Sequence, residues 1–229
     1  MWVLFCERAT KSSISRGKND QKYSNISRTS QLFFYNTFLL KQLSSCFSVT
    51  TSINLQGTSQ EPIKNFDFLG MTLQYEMCYT NILQVLDLSK IPLIATERTE
   101  DDPIVIGGGP CAYNPEPLAD FFDIFYIGEG ETRYRQLLDL YKECKNAKKS
   151  KEEFLHKASK IPGMYVPSMY EVHYKEDGTI AEFVTKYEDV PPTVLKEIEM
   201  NLSDTYYPMK PEVPFIKVTQ DRVVLEIQR

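Results

Sequence analysis

What this chain lacks narrows its chemistry before any fold is drawn. Its two histidines, His156 and His173, stand apart with no metal-spaced partners, and its five cysteines, Cys6, Cys46, Cys78, Cys111 and Cys144, include no CxxC pair. Neither a disulfide framework nor a zinc site is indicated, and the free thiols fit a reducing, cytoplasmic setting. Long apolar runs are missing as well. Met1 to Cys6 is followed at once by Glu7 and Arg8, and Leu32 to Leu40 has Asn36 and Thr37 inside it. Both stretches are too short for a signal peptide's apolar core or a membrane span. The dinucleotide fingerprint GxGxxG and the phosphate-binding ending Gly-Lys-Ser/Thr are absent too.

What is present suits one good core or two small ones: 229 residues, 42% hydrophobic and 25% charged. The formal net charge of −5 is unevenly spread, because residues 1–58 carry seven Lys/Arg against only Glu7 and Asp20. A charge pattern split in this way marks two segments of different origin more often than a nucleic-acid arm, and no nucleic-acid partner is expected. Residues 1–60 are rich in Ser, Thr, Asn and Lys, and apart from the Leu32–Leu43 cluster, which could make an isolated helix, they show no sustained period. They read as poorly ordered.

The chain is organised around 102–131, DPIVIGGGPCAYNPEPLADFFDIFYIGEGE. Two apolar runs, Ile104 to Ile106 and Ile124 to Ile127, lead straight into glycines, as buried parallel strands do when they enter ligand-facing turns. Pro115 to Phe122 is long enough for two turns of helix between them. Upstream, Phe66 to Leu73 reads as another strand, followed by the polar loop Gln74-Tyr75-Glu76. A helix capped by Thr80 or Asn81 follows, with Ile82, Leu83, Val85 and Leu86 on one face. Downstream, Tyr134, Leu137, Leu138, Tyr141 and Cys144 keep helical spacing, and Glu152 to Lys160 forms a further short helix. Strands alternating with helices predict an α/β fold, a partial doubly wound parallel sheet with right-handed crossovers and ligands at the carboxyl ends of its strands.

Beyond Pro162-Gly163 the period becomes 2, and Asp177-Gly178 between alternating runs predicts a β-hairpin. Val190 to Pro214, with Pro191, Pro192, Pro208, Pro211 and Pro214, reads as an extended linker, and Arg222 to Arg229 is again strand-like. The expected organisation is a poorly ordered segment at 1–60, an α/β domain at 61–160, a hairpin extension at 161–189, and a linker with a first strand at 190–229.

Glycines at strand ends let backbone N–H groups approach an anion or a flat ligand, and tight turns are the plainer reading of the same residues. Glu131 with Thr132 suffices as a helix cap, which leaves Glu129 as the better ligand-facing carboxylate. Both histidines read as surface or structural residues. Cys111 follows the first glycine loop and reads as a small semi-buried thiol.

From about Glu61 onward the chain resembles the amino-terminal part of an uncharacterised family of cobalamin-binding-domain radical SAM proteins. The resemblance rests on Phe66-Asp67-Phe68-Leu69-Gly70 with Thr72 to Glu76, then DPIVIGGGPCAYNPEP, IGEGE, the YVPSMYEV stretch and DRVVLEIQR, in that order. In that family the last strand leads into a CxxxCxxC loop that holds a [4Fe–4S] cluster, which binds and cleaves S-adenosylmethionine. No CxxxCxxC occurs here, so the resemblance implies a fragment without catalytic or metal residues of its own, severed from a C-terminal radical SAM barrel. It further implies that Thr72, Gln74, Gly107, Gly108, Gly109, Gly128, Glu129 and Gly130 contact a small-molecule cofactor, cobalamin, although the DxHxxG loop that supplies a histidine to cobalt is absent. A fragment of this kind leaves a bare strand edge, and marginal stability is expected of it. The rival reading is a stand-alone module whose glycine loops hold a nucleotide or a phosphate.

Overall fold

A computed structural model describes residues 2–7, 31–35, 62–130 and 133–201. The centre of the fold is a sheet in the order β2-β1-β3-β4-β5-β6. Its strands are β1 (Trp2–Glu7), β2 (Gln31–Tyr35), β3 (Phe68–Thr72), β4 (Ile104–Gly108), β5 (Ile124–Tyr126) and β6 (Met164–Tyr165). The ladders β3/β4 and β4/β5 are parallel, with Thr72 opposite Gly108 and Gly107 opposite Phe125. Those three strands are the ones predicted from the two glycine-ended runs and from Phe66 to Leu73. Their burial explains the runs: in β4 the first four residues are buried and in β5 all three, as in strands covered on both faces.

Three helices complete the α/β unit: α1 (Tyr79–Leu88) after β3, then α2 (Arg133–Asn146) and α3 (Lys151–Ala158) after β5. Ile82 and Leu86 of α1 and Leu137, Leu138 and Cys144 of α2 are buried, as their spacing requires. Phe68 meets Tyr141 of α2 edge-on at 4.6 Å and Phe154 of α3 at 6.2 Å, which packs the two helices onto one aromatic cluster. Ser150 caps α3 in a capping box: its hydroxyl accepts the Glu153 N–H while the Glu153 carboxylate accepts the Ser150 N–H.

Several expectations are corrected. The edge of β3 expected to be bare is taken by β1, antiparallel, with Phe5 opposite Gly70, and β1 in turn pairs with β2. These strands lie within the stretch read as poorly ordered, and residues 31–35 are extended where the Leu32–Leu43 cluster suggests a helix. The high β-propensity of the consecutive Phe33, Phe34 and Tyr35 and a free sheet edge outweigh the weak helical spacing. Helix α1 starts at Tyr79 after a 3₁₀ turn, Glu76–Cys78, with no side-chain cap from Thr80 or Asn81. Residues 116–121 form a 3₁₀ helix rather than two α turns, opened by the Leu118 N–H donating to the Pro115 carbonyl at 2.9 Å. Finally, Met164–Tyr165 joins the main sheet beside β5 instead of the hairpin.

The hairpin itself is β7 (Tyr170–Tyr174) with β8 (Ile180–Thr185). Its turn is the predicted one: Gly178 takes φ +80, and the Asp177 carboxylate accepts the Thr179 N–H at 2.9 Å. The strand-like Arg222 to Arg229, the Glu131-Thr132 cap and the remainder of residues 1–60 lie outside the described residues. Among the described residues no helix is long and apolar enough to cross a membrane.

Candidate functional site at the carboxyl ends of the parallel strands

Parallel strands end together, so β3, β4 and β5 bring Thr72, Gln74 and both glycine loops to one end of the sheet. All eight residues implied as cofactor contacts therefore gather there. What each glycine does at that end is more varied than the sequence suggests.

In the first loop the backbone is stitched to the end of β3. The Leu73 N–H donates to the Gly108 carbonyl at 2.6 Å, and the Leu73 carbonyl accepts the Cys111 N–H at 2.9 Å. Gly109 takes φ +96, and a Cβ there would lie 2.8 Å from Thr72 Cγ2. At Gly107 a Cβ would lie 2.8 Å from the Phe125 ring. Both are glycine because neighbouring protein fills the space. Gly108 differs: a Cβ there would meet only the Tyr126 carbonyl, at 3.8 Å. Of the three, it alone leaves room for something from outside.

The second loop is closed by the chain's own linker. Glu197 forms a parallel bridge with Gly128. The Glu197 N–H donates to the Ile127 carbonyl and the Glu129 N–H donates to the Glu197 carbonyl, each at 3.0 Å. The Glu129 carboxylate, expected to face a ligand, accepts the Glu199 N–H at 2.7 Å. Arg133, in the first turn of α2, pairs with the Glu197 carboxylate at 3.0 Å. Gly128 has φ +127, and a Cβ there would fall 2.2 Å from the Glu197 carbonyl oxygen, while one at Gly163 would fall 2.9 Å from Glu197 Cγ. Residues 194–199 are thus a strap laid over the loop. A Cβ at Gly130 would make only ordinary contact with the Tyr126 ring, whose hydroxyl donates to the Glu129 carbonyl at 2.6 Å.

Around this end stand exposed apolar side chains that the sequence reading passed over: Tyr75 at 58%, Met77 at 75% and Tyr113 at 55% exposure. Lys196 of the strap lies over the Tyr113 ring, 5.2 Å from its centre. Beneath them, burial and the Glu76 carboxylate push the Cys111 thiol up, and burial followed by Cys111 and Glu76 pushes the Tyr79 hydroxyl up. Cys111 is therefore a protonated thiol at neutral pH, not a ready nucleophile. The histidines are elsewhere. His156 on α3 pairs with Asp189 at 2.8 Å, and His173 on β7 pairs with Glu182 at 3.0 Å.

Comparison with known proteins fits this architecture. Residues 23–167, well over half of the chain, match the family described as radical SAM proteins, N-terminal, and the chain belongs to that family. The match begins within the stretch that the sequence reading set apart as poorly ordered. Uncharacterized protein MJ0966 of Methanocaldococcus jannaschii is similar, 42% identical over 71 residues. The aligned part is 30% of this chain and only 14% of that protein. No solved structure matches.

Membership implies a [4Fe–4S] cluster and S-adenosylmethionine in the parent family, and the residues present in this chain do not fit the cluster. The sequence holds no CxxxCxxC, and no three His, Cys, Asp or Glu among the described residues group as metal ligands.

Proposed function

We propose that this chain is the cobalamin-binding-like N-terminal domain of a radical SAM iron–sulfur protein and that it binds rather than catalyses. Radical chemistry then belongs to a segment or partner that carries the CxxxCxxC loop, the C-terminal barrel implied by the resemblance.

The observation that carries the reading is the state of Gly108. It has room beside it at the carboxyl end of a parallel sheet, between loops that bear exposed Tyr75, Met77 and Tyr113. Ligands of doubly wound folds lie at that end, and an apolar rim around a glycine suits a flat ring system that must approach the backbone closely. Bound there, cobalamin would supply a redox-active cobalt. This chain's part would be to seat the ring against Gly108, shield it with Tyr75 and Tyr113, and bond its amides through Thr72 and Gln74. Because both histidines are paired elsewhere, the cobalt would take no histidine from this chain. The second loop contributes less than the resemblance implies, since Glu197 uses the Glu129 N–H. The same closure weighs against a stand-alone phosphate-binding module.

Titrating the purified chain with hydroxocobalamin tests this. A saturable change in the visible spectrum, lost in Gly108→Leu but kept in Glu129→Gln, is the expected result. An unchanged spectrum, with cobalamin eluting separately from the protein on gel filtration, would overturn it.

A further inference from the structure

We infer that a cleft beneath the strap, separate from the Gly108 face, binds a planar, amino-bearing heteroaromatic ring of the adenine class. The cleft lies between the end of β5, the hairpin and the strap, and has a volume of 220 Å³. That is below the ~300–1,000 Å³ of sites for drug-sized ligands, and it suits one bicyclic ring.

Its wall is a cluster of three rings. Tyr170 stacks on Phe183 with centres 5.1 Å apart and planes 18° apart, and Tyr165 lies 5.1 Å from Tyr170. Tyr165 and Tyr170 are buried, but Phe183 keeps 41% of its surface exposed, so the cluster has an open side. Val194 of the strap and Thr193 just before it also line the cleft. Such walls favour a flat aromatic guest over a branched aliphatic one.

Charge settles the class further. Glu116 brings a carboxylate to the cleft, and no Lys, Arg or His among the described residues lines it. An anionic ligand is disfavoured there. One Glu116 oxygen accepts the Tyr165 hydroxyl, a bond that, after burial, pushes the Tyr165 hydroxyl far above its ordinary range. Among the described residues the other oxygen accepts no bond of this kind, and it is an acceptor for a ring amino or N–H group. Adenine offers both a stacking face and an exocyclic amino donor.

Calorimetric titration of the full chain with adenosine tests the assignment without reference to cobalamin. Saturable one-to-one binding is expected. Glu116→Gln should weaken it about tenfold, the loss of one hydrogen bond to a charged group, and Phe183→Ala should weaken it further. Both positions are exposed, so circular dichroism should confirm that the variants fold. Inosine, which presents a carbonyl in place of the amino group, should bind more weakly than adenosine, and AMP no more tightly. Three results would overturn the inference: no saturable binding of adenosine, binding indifferent to both substitutions, or AMP binding much more tightly than adenosine.

Discussion

Arg98 Nη1 donates to Asp123 Oδ2 at 2.8 Å, with the two side chains 0% and 2% exposed. The pair ties the segment before β4 to the start of β5. Asp123 Oδ2 also accepts the Val105 N–H at 2.8 Å, and Lys151 at the start of α3 lies 2.8 Å from Asp123 Oδ1. Arg98 spends three more N–H groups on the carbonyls of Pro92, Leu93 and Phe121. One carboxylate therefore serves two cations and a strand amide, away from water.

Removing that carboxylate strands the guanidinium without a counter-charge. Asp123→Asn is expected to cost about 3–5 kcal/mol, the usual penalty for breaking a buried pair from one side. Urea denaturation of the two proteins measures it, and a difference below 1 kcal/mol, the range of an exposed pair, would show that the site relaxes.

The strap makes a second prediction. In Gly128→Ala the new Cβ collides with the Glu197 backbone, and the residue is held at φ +127, where side chains are rare. The strap should lift, at a cost of about 1–3 kcal/mol from backbone strain. Faster hydrogen exchange at the Glu129 and Glu197 amides is the readout, together with quicker tryptic cleavage after Lys196. Unchanged exchange at both amides would count against the docked strap.

Acid should loosen the contact between α3 and the end of the hairpin. Asp189 accepts from Lys160 and sits 2.8 Å from His156, and these partners hold its carboxyl down at about 2. A carboxyl depressed on folding stabilises the protein above its unfolded value, near 3.9, and that help is lost as pH falls from about 4 through 2. Carboxyl chemical shifts followed across that window should show Asp189 titrating below the exposed aspartates. A midpoint near 3.9 would mean that the contacts do not persist in solution.

The parallel core was legible because buried strands write themselves as unbroken apolar runs, and Ile104 to Ile106 and Ile124 to Ile127 are such runs. The hairpin was legible through Asp177-Gly178. The strap was not, because it is held by backbone: Glu197 bonds through its N–H and carbonyl, which every residue but proline possesses, so its side-chain pattern carries no period to read. The glycine loops were located correctly but their reasons were hidden. A glycine that yields to Phe125, as Gly107 does, and one that leaves room, as Gly108 does, are the same letter in a sequence. The capping box at Ser150 and Glu153 has the Ser-x-x-Glu spacing in the sequence, just ahead of the helix predicted from Glu152. Pairing of β1 with β3 could not be foreseen, since an antiparallel partner arriving from so far along the chain leaves no local mark.

Because the strap is gripped through main-chain atoms, selection acts on it unequally. Substitutions at Leu195, Ile198 or Met200, whose side chains stand in solvent, would pass without disturbing the grip, whereas Gly128 and Gly163 have no acceptable replacement while Glu197 lies between them. Among relatives that keep this arrangement, the two glycines should persist together and the solvent-facing letters of the strap should drift, with the main-chain contact preserved by the side that has nothing to show but an absent side chain.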